Sequence, residues 1–320
     1  MNHTISGLHH VTAIASDPQS NLDFYVGLLG LRLVKRTVNF DDPGTYHFYF
    51  GDAQGTPGTI MTFFPWPNAR RGRRGTGEVE ATAFAISPDS VGYWLERLKK
   101  NNVSAERKPA RFGEEVIRFA DLDGMPLELV ASAAAGETQP WTDAAVPAEH
   151  ALRGFHSVSA ALADYAPTAQ LLTETFGYKL AQEAGNRFRF VAAGNSGLAK
   201  TIDLLHTPGS ARAGGGAGSV HHIAFSVPDD EQQLAWRNQL IDLGYHVSPV
   251  MDRTYFHSIY FREPGGVLFE FATNPPGFTY DEPLNELGTN LRLPPQVEAF
   301  RQQIEDVLQP ITIPTKESFL

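Results

Sequence analysis

Hydrophobic and polar positions form a similar pattern, rich in β-branched residues, in four short segments spaced along the chain. Residues 77–86 (GEVEATAFAI) and 218–227 (GSVHHIAFSV) share glycine, valine, alanine, phenylalanine and a closing β-branched residue in register. Residues 7–13 (GLHHVTA) and 154–160 (GFHSVSA) form a second matching pair. Runs of this length and composition are typical of β-strands. The four similar openers therefore indicate an internal repeat.

A helical pattern follows each opening strand. The first helix is predicted to begin at Ser16, Asp17 and Pro18, because serine or aspartate caps a helix and proline is favoured in its first turn. The other three helices are predicted at residues 90–100, 167–176 and 231–243. Three of the four run into a glycine that precedes a β-like segment, as expected at a helix C-cap: Gly30, Gly177 and Gly244.

Each repeat closes with a hairpin. Residues 121–129 and 262–271 match as a turn, a glycine, an apolar pair, a glutamate and an apolar residue. The sequence therefore predicts an α+β fold of four βαβββ modules, at residues 7–65, 77–131, 153–206 and 218–273. A C-terminal tail is predicted to carry one short amphipathic helix through Val297, Phe300, Ile304 and Leu308.

The amino-acid composition limits which ligands, partners and locations are possible. The 320 residues contain no cysteine, so disulfides, thiolate metal sites and a cysteine nucleophile are excluded, and any metal ligands must be His, Asp or Glu. A formal net charge of −10 argues against nucleic-acid binding. No apolar run reaches the roughly 18 residues that a membrane span needs, and the N-terminus lacks an export signal, so a cytoplasmic location is expected.

One segment is strongly basic although the net charge of the chain is negative. Four arginines, interleaved with glycine, lie between the first two modules: Arg70, Arg71, Arg73 and Arg74. Their composition predicts a solvated linker, with a lid or an anion-steering role as the alternative.

Aligned openers share one position that holds histidine in two modules. It is His10 in the first module and His222 in the fourth, whereas the second and third modules have Ala81 and Ser157. Each histidine alone is more often a hydrogen-bonded core residue than a metal ligand. Strand alternation is expected to send the preceding side chain of each opener to the opposite face, which applies to His9, Glu80, His156 and His221.

A carboxylate recurs in the closing strands. It is Glu270 in the fourth module and Glu128 in the second, with Asp203 a looser match in the third. An acid among apolar strand residues is costly to bury without a compensating cation. His10, His222 and Glu270 are therefore predicted to hold one divalent metal, whereas the second and third modules lack the imidazoles for another complete site. Two histidines and one carboxylate are the ligand set of non-haem Fe(II) oxygenases.

These motifs resemble the vicinal oxygen chelate superfamily of glyoxalase I, bleomycin-resistance proteins and extradiol dioxygenases. They are most similar to its hydroquinone-type ring-cleaving dioxygenases. The resemblance extends from residues 7–12 (GLHHVT) to 275–278 (PPGF). It implies two tandem glyoxalase-like domains, each a barrel or half-barrel, at residues 1–150 and 151–275, followed by a tail at residues 276–320.

The resemblance also assigns site residues. The iron ligands of that branch correspond to His10, His222 and Glu270, and its further site residues correspond to His9, Thr12, His221, Arg253 and Tyr260. The common extradiol catechol enzymes take their first histidine from the third module. Ser157 stands at that point here, which disfavours the catechol pattern.

The implied reaction is Fe(II)-dependent insertion of O₂ into a hydroquinone or related dihydroxylated aromatic, next to the ring oxygen held by the metal. His9 and His221 are candidates to move protons, and Arg253 and Tyr260 to hold substrate oxygens. Without the resemblance, a surface ion pair with Asp252 explains Arg253 equally well, and core packing explains Tyr260. Four phenylalanines are expected to line an aromatic-accepting cavity: Phe48, Phe50, Phe63 and Phe64.

Two other functions remain open. A glyoxalase-like lyase or isomerase would use Zn(II) or Ni(II), and Mn(II) is a further alternative to Fe(II) at the site. It would normally need a fourth protein ligand, and residues 58–63 offer no carboxylate for it. A non-catalytic small-molecule-binding protein of the resistance type would need no metal. The expected partners are a small aromatic substrate and O₂, and a homo-oligomer is left open.

Overall fold

Four βαβββ modules make up most of the chain. The structure is a computed structural model that describes residues 5–193 and 197–319, without the side chains of residues 318 and 319. The first module contains β1 Leu8–Ala15, β2 Arg32–Asn39, β3 Asp42–Gly51 and β4 Ile60–Pro65. The second contains β5 Glu78–Ile86, β6 Glu106–Arg111, β7 Glu114–Ala120 and β8 Pro126–Ala131.

The second half of the chain repeats this order. The third module contains β9 Phe155–Leu162, β10 Lys179–Ala184, β11 Arg187–Val191 and β12 Thr201–His206. The fourth contains β13 Ser219–Val227, β14 Met251–Asp252, β15 His257–Arg262 and β16 Leu268–Thr273. The α+β fold of four modules predicted from the sequence is confirmed, with each module beginning and ending close to its predicted bounds.

A helical segment follows each opening strand. The helices are α1 Pro18–Leu22 with a π-helical continuation Asp23–Leu28, α2 Val91–Lys100 after a 3₁₀ turn Pro88–Ser90, α3 Ala166–Gln170 with a π-helical continuation Leu171–Thr175, and α4 Asp230–Asp242. Asp17 caps the first helix as predicted, since its carboxylate accepts a hydrogen bond from the Ser20 amide at 2.7 Å. No helix of the described chain is long and apolar enough to cross a bilayer.

The modules associate in pairs that are not neighbours in sequence. The first and fourth form an eight-stranded sheet, here called the first sheet, in the order β14-β15-β16-β13-β1-β4-β3-β2. The second and third form the second sheet, in the order β10-β11-β12-β9-β5-β8-β7-β6. Each is a curled half-barrel. Each sheet thus takes one module from either half of the chain, and the domain boundaries at residues 150 and 275 stay a prediction.

The central pair of each sheet is irregular. The antiparallel ladder of β1 and β13 skips one residue on each strand, His9 and His221. The ladder of β5 and β9 skips the two equivalent residues, Glu80 and His156. A bulged residue has no partner in the ladder, and the strand bends there. The repeat therefore includes a bulge directly before each position aligned with His10 and His222.

Two predicted elements differ from the structure. Gly30, Gly177 and Gly244 all adopt positive φ after their helices, but the segment that follows Gly244 is not a strand, and the short β14 begins only at Met251. In the tail, the helix α5 Arg301–Val307 follows a 3₁₀ turn Glu298–Phe300. Ile304 and Leu308 are buried there as predicted, whereas Phe300 is 56% exposed.

Other short 3₁₀ turns lie outside the modules, at Ala133–Glu137, Phe278–Tyr280, Leu284–Glu286 and Lys316–Phe319. The arginine-rich linker crosses the linker between the third and fourth modules. Bridges join Arg71 to Ala217, Arg73 to Gly214, and Thr76 to Arg212. The two linkers thus brace the junction of the modules, and none of the four linker arginines lines the cavity described below.

Candidate metal centre

The three predicted ligands converge although His10 and His222 are 212 residues apart in sequence. His10 lies on β1, His222 on the neighbouring β13, and Glu270 on β16, which runs parallel to β13. The Nε2 atoms of the two histidines are 3.2 Å apart. Glu270 Oε2 lies 3.2 Å from the first and 2.8 Å from the second. All three side chains are buried.

These donor atoms match one face of an octahedron. Metal–ligand bonds of about 2.1 Å at right angles separate the donor atoms by about 3.0 Å, and tetrahedral angles separate them by about 3.4 Å. The separations of 2.8 to 3.2 Å agree with the octahedral value. Within residues 5–193 and 197–319, no other group of three or more His, Asp or Glu side chains converges in this way.

The charge of Glu270 also suits a cation. Burial alone would raise the pKa of Glu270, but the two imidazoles beside it hold that pKa well below its usual range. Oε1 accepts a hydrogen bond from Ser258 Oγ at 2.5 Å, whereas Oε2 faces only the two imidazole nitrogens. A buried carboxylate oxygen that points at two imidazole nitrogens is a site that a divalent ion would complete. The residues therefore fit a metal.

The two bulges bring a second histidine against each of these imidazoles. His9 Nδ1 lies 2.9 Å from His10 Nδ1, and His221 Nδ1 lies 2.7 Å from His222 Nδ1. Each pair of rings meets edge to face, with centroids 5.1 and 5.0 Å apart. The expectation that alternation sends His9 and His221 to the opposite face is wrong, because a bulge interrupts the alternation at both residues.

Both bulged histidines are neutral at pH 7. Burial lowers the pKa of His9 to about 3, and the neighbouring His10 adds to the effect. Partial burial and the neighbouring His222 lower the pKa of His221 to about 4, although the residue is exposed to solvent on its open side. A neutral imidazole donates at one nitrogen and accepts at the other. Each contact between Nδ1 atoms therefore has one donor and one acceptor.

A cavity of about 410 Å³ opens in front of the triad. This volume falls within the roughly 300 to 1,000 Å³ that is usual for small-molecule sites. Aromatic rings and a few polar groups form its wall beside the two histidines of the triad: Thr12, Asn39, Phe40, Asp41, Asp42, His47, Tyr49, Phe64, Trp66, His221, Arg253, Phe256, Tyr260 and Leu268. Four of the five further site residues implied by the resemblance thus line the cavity, and His9 lies behind His10.

Arg253 supplies a cation to the cavity wall. Its guanidinium donates to Asp41 Oδ2 at 3.1 Å and packs 5.6 Å from the ring centroid of Tyr260. Its Nε lies 3.4 Å from the Tyr260 hydroxyl. The ion pair expected with Asp252 is not the one that forms. Burial raises the pKa of Tyr260, so its hydroxyl stays protonated at neutral pH.

Three polar residues of the site were missed in the sequence. His47 and Tyr49 line the cavity from β3, and Thr62 on β4 contacts His47. The sequence contains a signal for the two on β3, because residues 47–50 alternate His and Tyr with Phe, which predicts two different faces.

The same alternation of side chains shows that three of the four phenylalanines predicted to line the cavity do not. Phe48, Phe50 and Phe63 are fully buried in the hydrophobic core on the other side of the strands. Of the four predicted phenylalanines, Phe64 alone lines the cavity.

Comparison with known proteins agrees with this architecture. The profile of the Glyoxalase/Bleomycin resistance protein/Dioxygenase superfamily matches residues 7–129 and 154–271. The chain belongs to this superfamily. Bacillus subtilis MhqO, provisionally named a ring-cleaving dioxygenase, is 47% identical over 96% of this chain and 97% of its own length. The chlorohydroquinone/hydroquinone 1,2-dioxygenase of Sphingobium indicum is 37% identical over 94% of this chain and 95% of its own length.

Solved structures of other proteins agree with this assignment to the superfamily. A Bacillus subtilis protein provisionally named a dioxygenase superposes with a TM-score of 0.93 at 44% identity, covering 98% of this chain and 99% of the other. Glyoxalase I from Zea mays superposes with a TM-score of 0.61 at 17% identity, covering 84% of this chain and 92% of the other. The second likeness concerns the fold alone. The expected tandem glyoxalase-like architecture and the resemblance to ring-cleaving dioxygenases are confirmed.

Proposed function

We propose that this protein is an Fe(II)-dependent dioxygenase that cleaves the ring of a hydroquinone or a related dihydroxylated aromatic. The observation that carries the proposal is the convergence of His10, His222 and Glu270, with the two histidines at the wall of an aromatic-lined cavity. Two histidines and a carboxylate on one face of an octahedron are typical of non-haem Fe(II) oxygenases. The relatives named for ring cleavage support the same reaction class.

His10, His222 and Glu270 would hold the iron. When bound, Fe(II) supplies the redox chemistry that lets O₂ react with an electron-rich ring held beside it. The cavity reaches His10 and His222 directly, so a ring with hydroxyl groups would bind next to the ion without displacing a protein side chain.

The paired histidines determine where protons lie. His222 would bind through Nε2, so its remaining proton is on Nδ1 and is donated to Nδ1 of His221, 2.7 Å away. His221 then carries its own proton on Nε2 and can donate it to an oxygen atom in the cavity. His9 orients His10 by the same contact at 2.9 Å. In this arrangement His221 presents an N–H donor to the cavity and holds a substrate oxygen by a hydrogen bond, while its Nδ1 stays occupied by the proton of His222.

Arg253 and Tyr260 would stabilise negative charge on the substrate. The guanidinium keeps its positive charge next to Asp41, and the Tyr260 hydroxyl lies 3.4 Å from its Nε. Both groups line the same cavity as His222. A fixed cation and a phenolic donor at the edge of a buried site favour an ionised ring oxygen over a neutral one.

Aromatic side chains would hold the ring and exclude water. Phe64, Trp66 and Phe256 form apolar parts of the wall. Phe256 packs edge-on against His9 with ring centroids 5.1 Å apart, and Phe64 packs edge-on against His221 at 6.0 Å. The rings therefore support the outer histidines as well as a bound aromatic.

Oxygen uptake tests this proposal. The protein is loaded with Fe(II) without air and then mixed with hydroquinone, with catechol, or with the adduct of methylglyoxal and glutathione. We expect one O₂ consumed per hydroquinone opened, with both oxygen atoms of labelled O₂ recovered in the product. Failure to consume O₂ with any dihydroxylated aromatic would contradict the proposal.

The glyoxalase-like alternative predicts a different result, namely isomerisation of the adduct without O₂ uptake. The position on β4 that corresponds to Glu270 is Thr62, because Thr12 pairs with Thr62 as Ala224 pairs with Glu270. A threonine there supplies no carboxylate as a fourth ligand. A non-catalytic binding protein predicts tight aromatic binding that does not depend on the metal.

A further inference from the structure

Four polar side chains form a hydrogen-bonded chain beside the candidate metal centre. The Thr12 and Thr62 hydroxyls are 2.9 Å apart. His47 Nε2 lies 2.9 Å from Thr62 Oγ1, and the Tyr49 hydroxyl lies 3.0 Å from His47 Nδ1. All four side chains are buried. We call this set the Thr12–Tyr49 chain.

The two ends of the chain face the cavity. Thr12 and Tyr49 both belong to its wall, as does His47, whereas Thr62 lies behind them. Each hydroxyl supplies one proton, and the neutral imidazole supplies one more. Because the four groups make only three contacts with one another, one proton remains for the cavity, and it lies on either Thr12 or Tyr49.

The acidity of the groups decides which end supplies that proton. A phenol is a stronger donor and a weaker acceptor than an aliphatic hydroxyl, and an imidazole nitrogen is a good acceptor. Tyr49 therefore donates to His47 Nδ1, and His47 donates from Nε2 to Thr62. Thr62 in turn donates to Thr12. Burial and the nearby His10 and His222 lower the pKa of His47 well below its usual value, so the ring is neutral, as this arrangement requires.

We propose that His47 is a positioning residue that, through Thr62, turns the hydroxyl proton of Thr12 into the cavity, where it is donated to a ring oxygen of the bound aromatic. The inference rests on the proposed function for the identity of that ligand. Thr12 pairs directly with His222 in the β1–β13 ladder, so its hydroxyl lies next to the ligand set. Tyr49 sets the direction of the chain from its other end.

The direction of the chain can be measured without turnover. Histidine nitrogen NMR of the Zn(II)-loaded, diamagnetic protein distinguishes a proton on Nε2 from one on Nδ1. The His47 signals are assigned by their loss in His47→Gln. We expect His47 to be protonated at Nε2, and Tyr49→Phe to weaken that preference. A proton on Nδ1 in the wild-type protein reverses the chain and overturns the inference.

Anaerobic binding of hydroquinone tests the Thr12 end of the Thr12–Tyr49 chain. One neutral hydrogen bond contributes about 1 kcal/mol, so we expect Thr12→Val and Thr62→Val each to weaken anaerobic hydroquinone binding by roughly 5- to 10-fold. The double variant should bind no more weakly than Thr12→Val, because both residues act through one proton. Thr82→Val is the matched control, since Thr82 is a fully buried threonine on β5 of the second sheet. It should leave binding unchanged.

A conservative variant separates positioning from folding. His47→Gln keeps an N–H donor near the place of Nε2 and should bind hydroquinone within about threefold of wild type, whereas His47→Leu should behave like Thr62→Val. Additive losses in the double threonine variant, or normal binding by Thr62→Val, would overturn the inference. Absence of hydroquinone binding and turnover in the wild-type protein would instead overturn the proposed function, while the NMR result still gives the direction of the chain.

Discussion

The two sheets are built alike but neutralise their buried acids differently. In the first sheet, Glu270 lies on the closing strand of the fourth module, opposite Ala224 of the opening strand. In the second sheet, Glu128 lies opposite Ala83, and Asp203 opposite Ser159, in the same register. All three carboxylates are fully buried. The repeat therefore places an acid at one structural position in three modules of four.

The second sheet pairs its acids with arginines. Arg111 binds Glu128 through two contacts of 2.7 and 2.8 Å. Arg187 and Arg189 bind Asp203 at 2.8 and 2.9 Å. Burial opposes ionisation, yet these guanidiniums hold the pKa values of both acids below their usual range. In the first sheet, two imidazoles meet Glu270 and leave room for an ion.

The neighbouring strand shows where the difference arises. The residue opposite each closing-strand position is Tyr260 or Tyr49 in the first sheet and Arg118 or Arg189 in the second. Arg189 binds the acid opposite it, and Arg118 lies 3.6 Å from Glu128 beside Arg111 of β6, whereas both tyrosines line the cavity. A buried acid in a repeated strand is therefore ambiguous by itself. The side chains of the neighbouring strands decide between an ion pair and a metal site.

Removing the acid should produce opposite results in the two sheets, and this is the largest effect we predict. Glu270→Gln should lower metal affinity by more than about 100-fold, the upper end of what loss of an outer-sphere partner costs, and abolish turnover. Glu128→Gln should keep metal and turnover but lower the free energy of unfolding by about 3–5 kcal/mol, because Arg111 loses its buried partner. Metal analysis, oxygen uptake and urea unfolding measure these quantities. Loss of metal from Glu128→Gln would place an ion in the second sheet.

The bulged histidines give a second, smaller contrast. His9 contacts His10, whereas the equivalent His156 contacts Ser157 and Glu114. We expect His9→Phe to weaken metal binding by about 10- to 100-fold, because the ring no longer orients His10. His156→Phe makes the same change in the second sheet and should leave metal binding unchanged. Competition with a chelator measures both affinities, and equal losses in the two variants would contradict the comparison.

Much of this contrast could be predicted from the sequence, because the internal repeat aligns His10 with His222 and places Glu270 at a recurring acidic position. The four module bounds and the capping role of Asp17 followed from local patterns of apolar residues, glycine and proline. The three side chains lie together, and their role as metal ligands stays a prediction. A cytoplasmic location, the absence of nucleic-acid binding and a homo-oligomer stay predictions too.

What the sequence did not provide depends on contacts between distant segments. The bulges at His9 and His221 arise from the pairing of the first and fourth modules, and a single strand does not indicate them. The pairing of Arg253 with Asp41 joins β14's loop to the β2–β3 turn, 212 residues apart. His47 was missed because its partner Thr62 lies on another strand, although the alternation in β3 marks its face.

Acidic pH should empty the metal centre before it weakens the second sheet. Metal binding needs neutral imidazoles, and burial lowers the pKa of His222 below its usual value, so affinity should fall as the pH drops through that lowered value. Glu128 and Asp203 have pKa values lowered from 4.5 and 3.8 in the folded state. Their stabilisation is complete above those unfolded-state values and is lost as the pH falls through the lower folded-state pKa values.

Metal content and hydrogen exchange of β8 and β12 between pH 7 and pH 3 check this order. In Glu128→Gln, hydrogen exchange in β8 should depend less on pH in the acidic range than it does in the wild-type protein. Exchange in β8 that rises at the same pH as metal loss would contradict the prediction.

The smallest predicted effect concerns the net contribution of the arginine pairs. Replacing one partner of a buried ion pair leaves a charge unpaired, but replacing both by apolar residues removes the desolvation cost as well. The free energy of unfolding of the double variant Arg111→Leu with Glu128→Leu should therefore be within about 1 kcal/mol of wild type, far from the loss in Glu128→Gln.

The exposed pair Arg107 and Glu115, on the same hairpin, is the control, and its double replacement should change the free energy of unfolding by less than about 1 kcal/mol. A double Arg111 and Glu128 variant as unstable as Glu128→Gln would mean that the ion pair itself stabilises the second sheet. The comparison between the two sheets would then change. The arginines of the second sheet would add stability of their own, whereas here they are taken only to neutralise a buried acid.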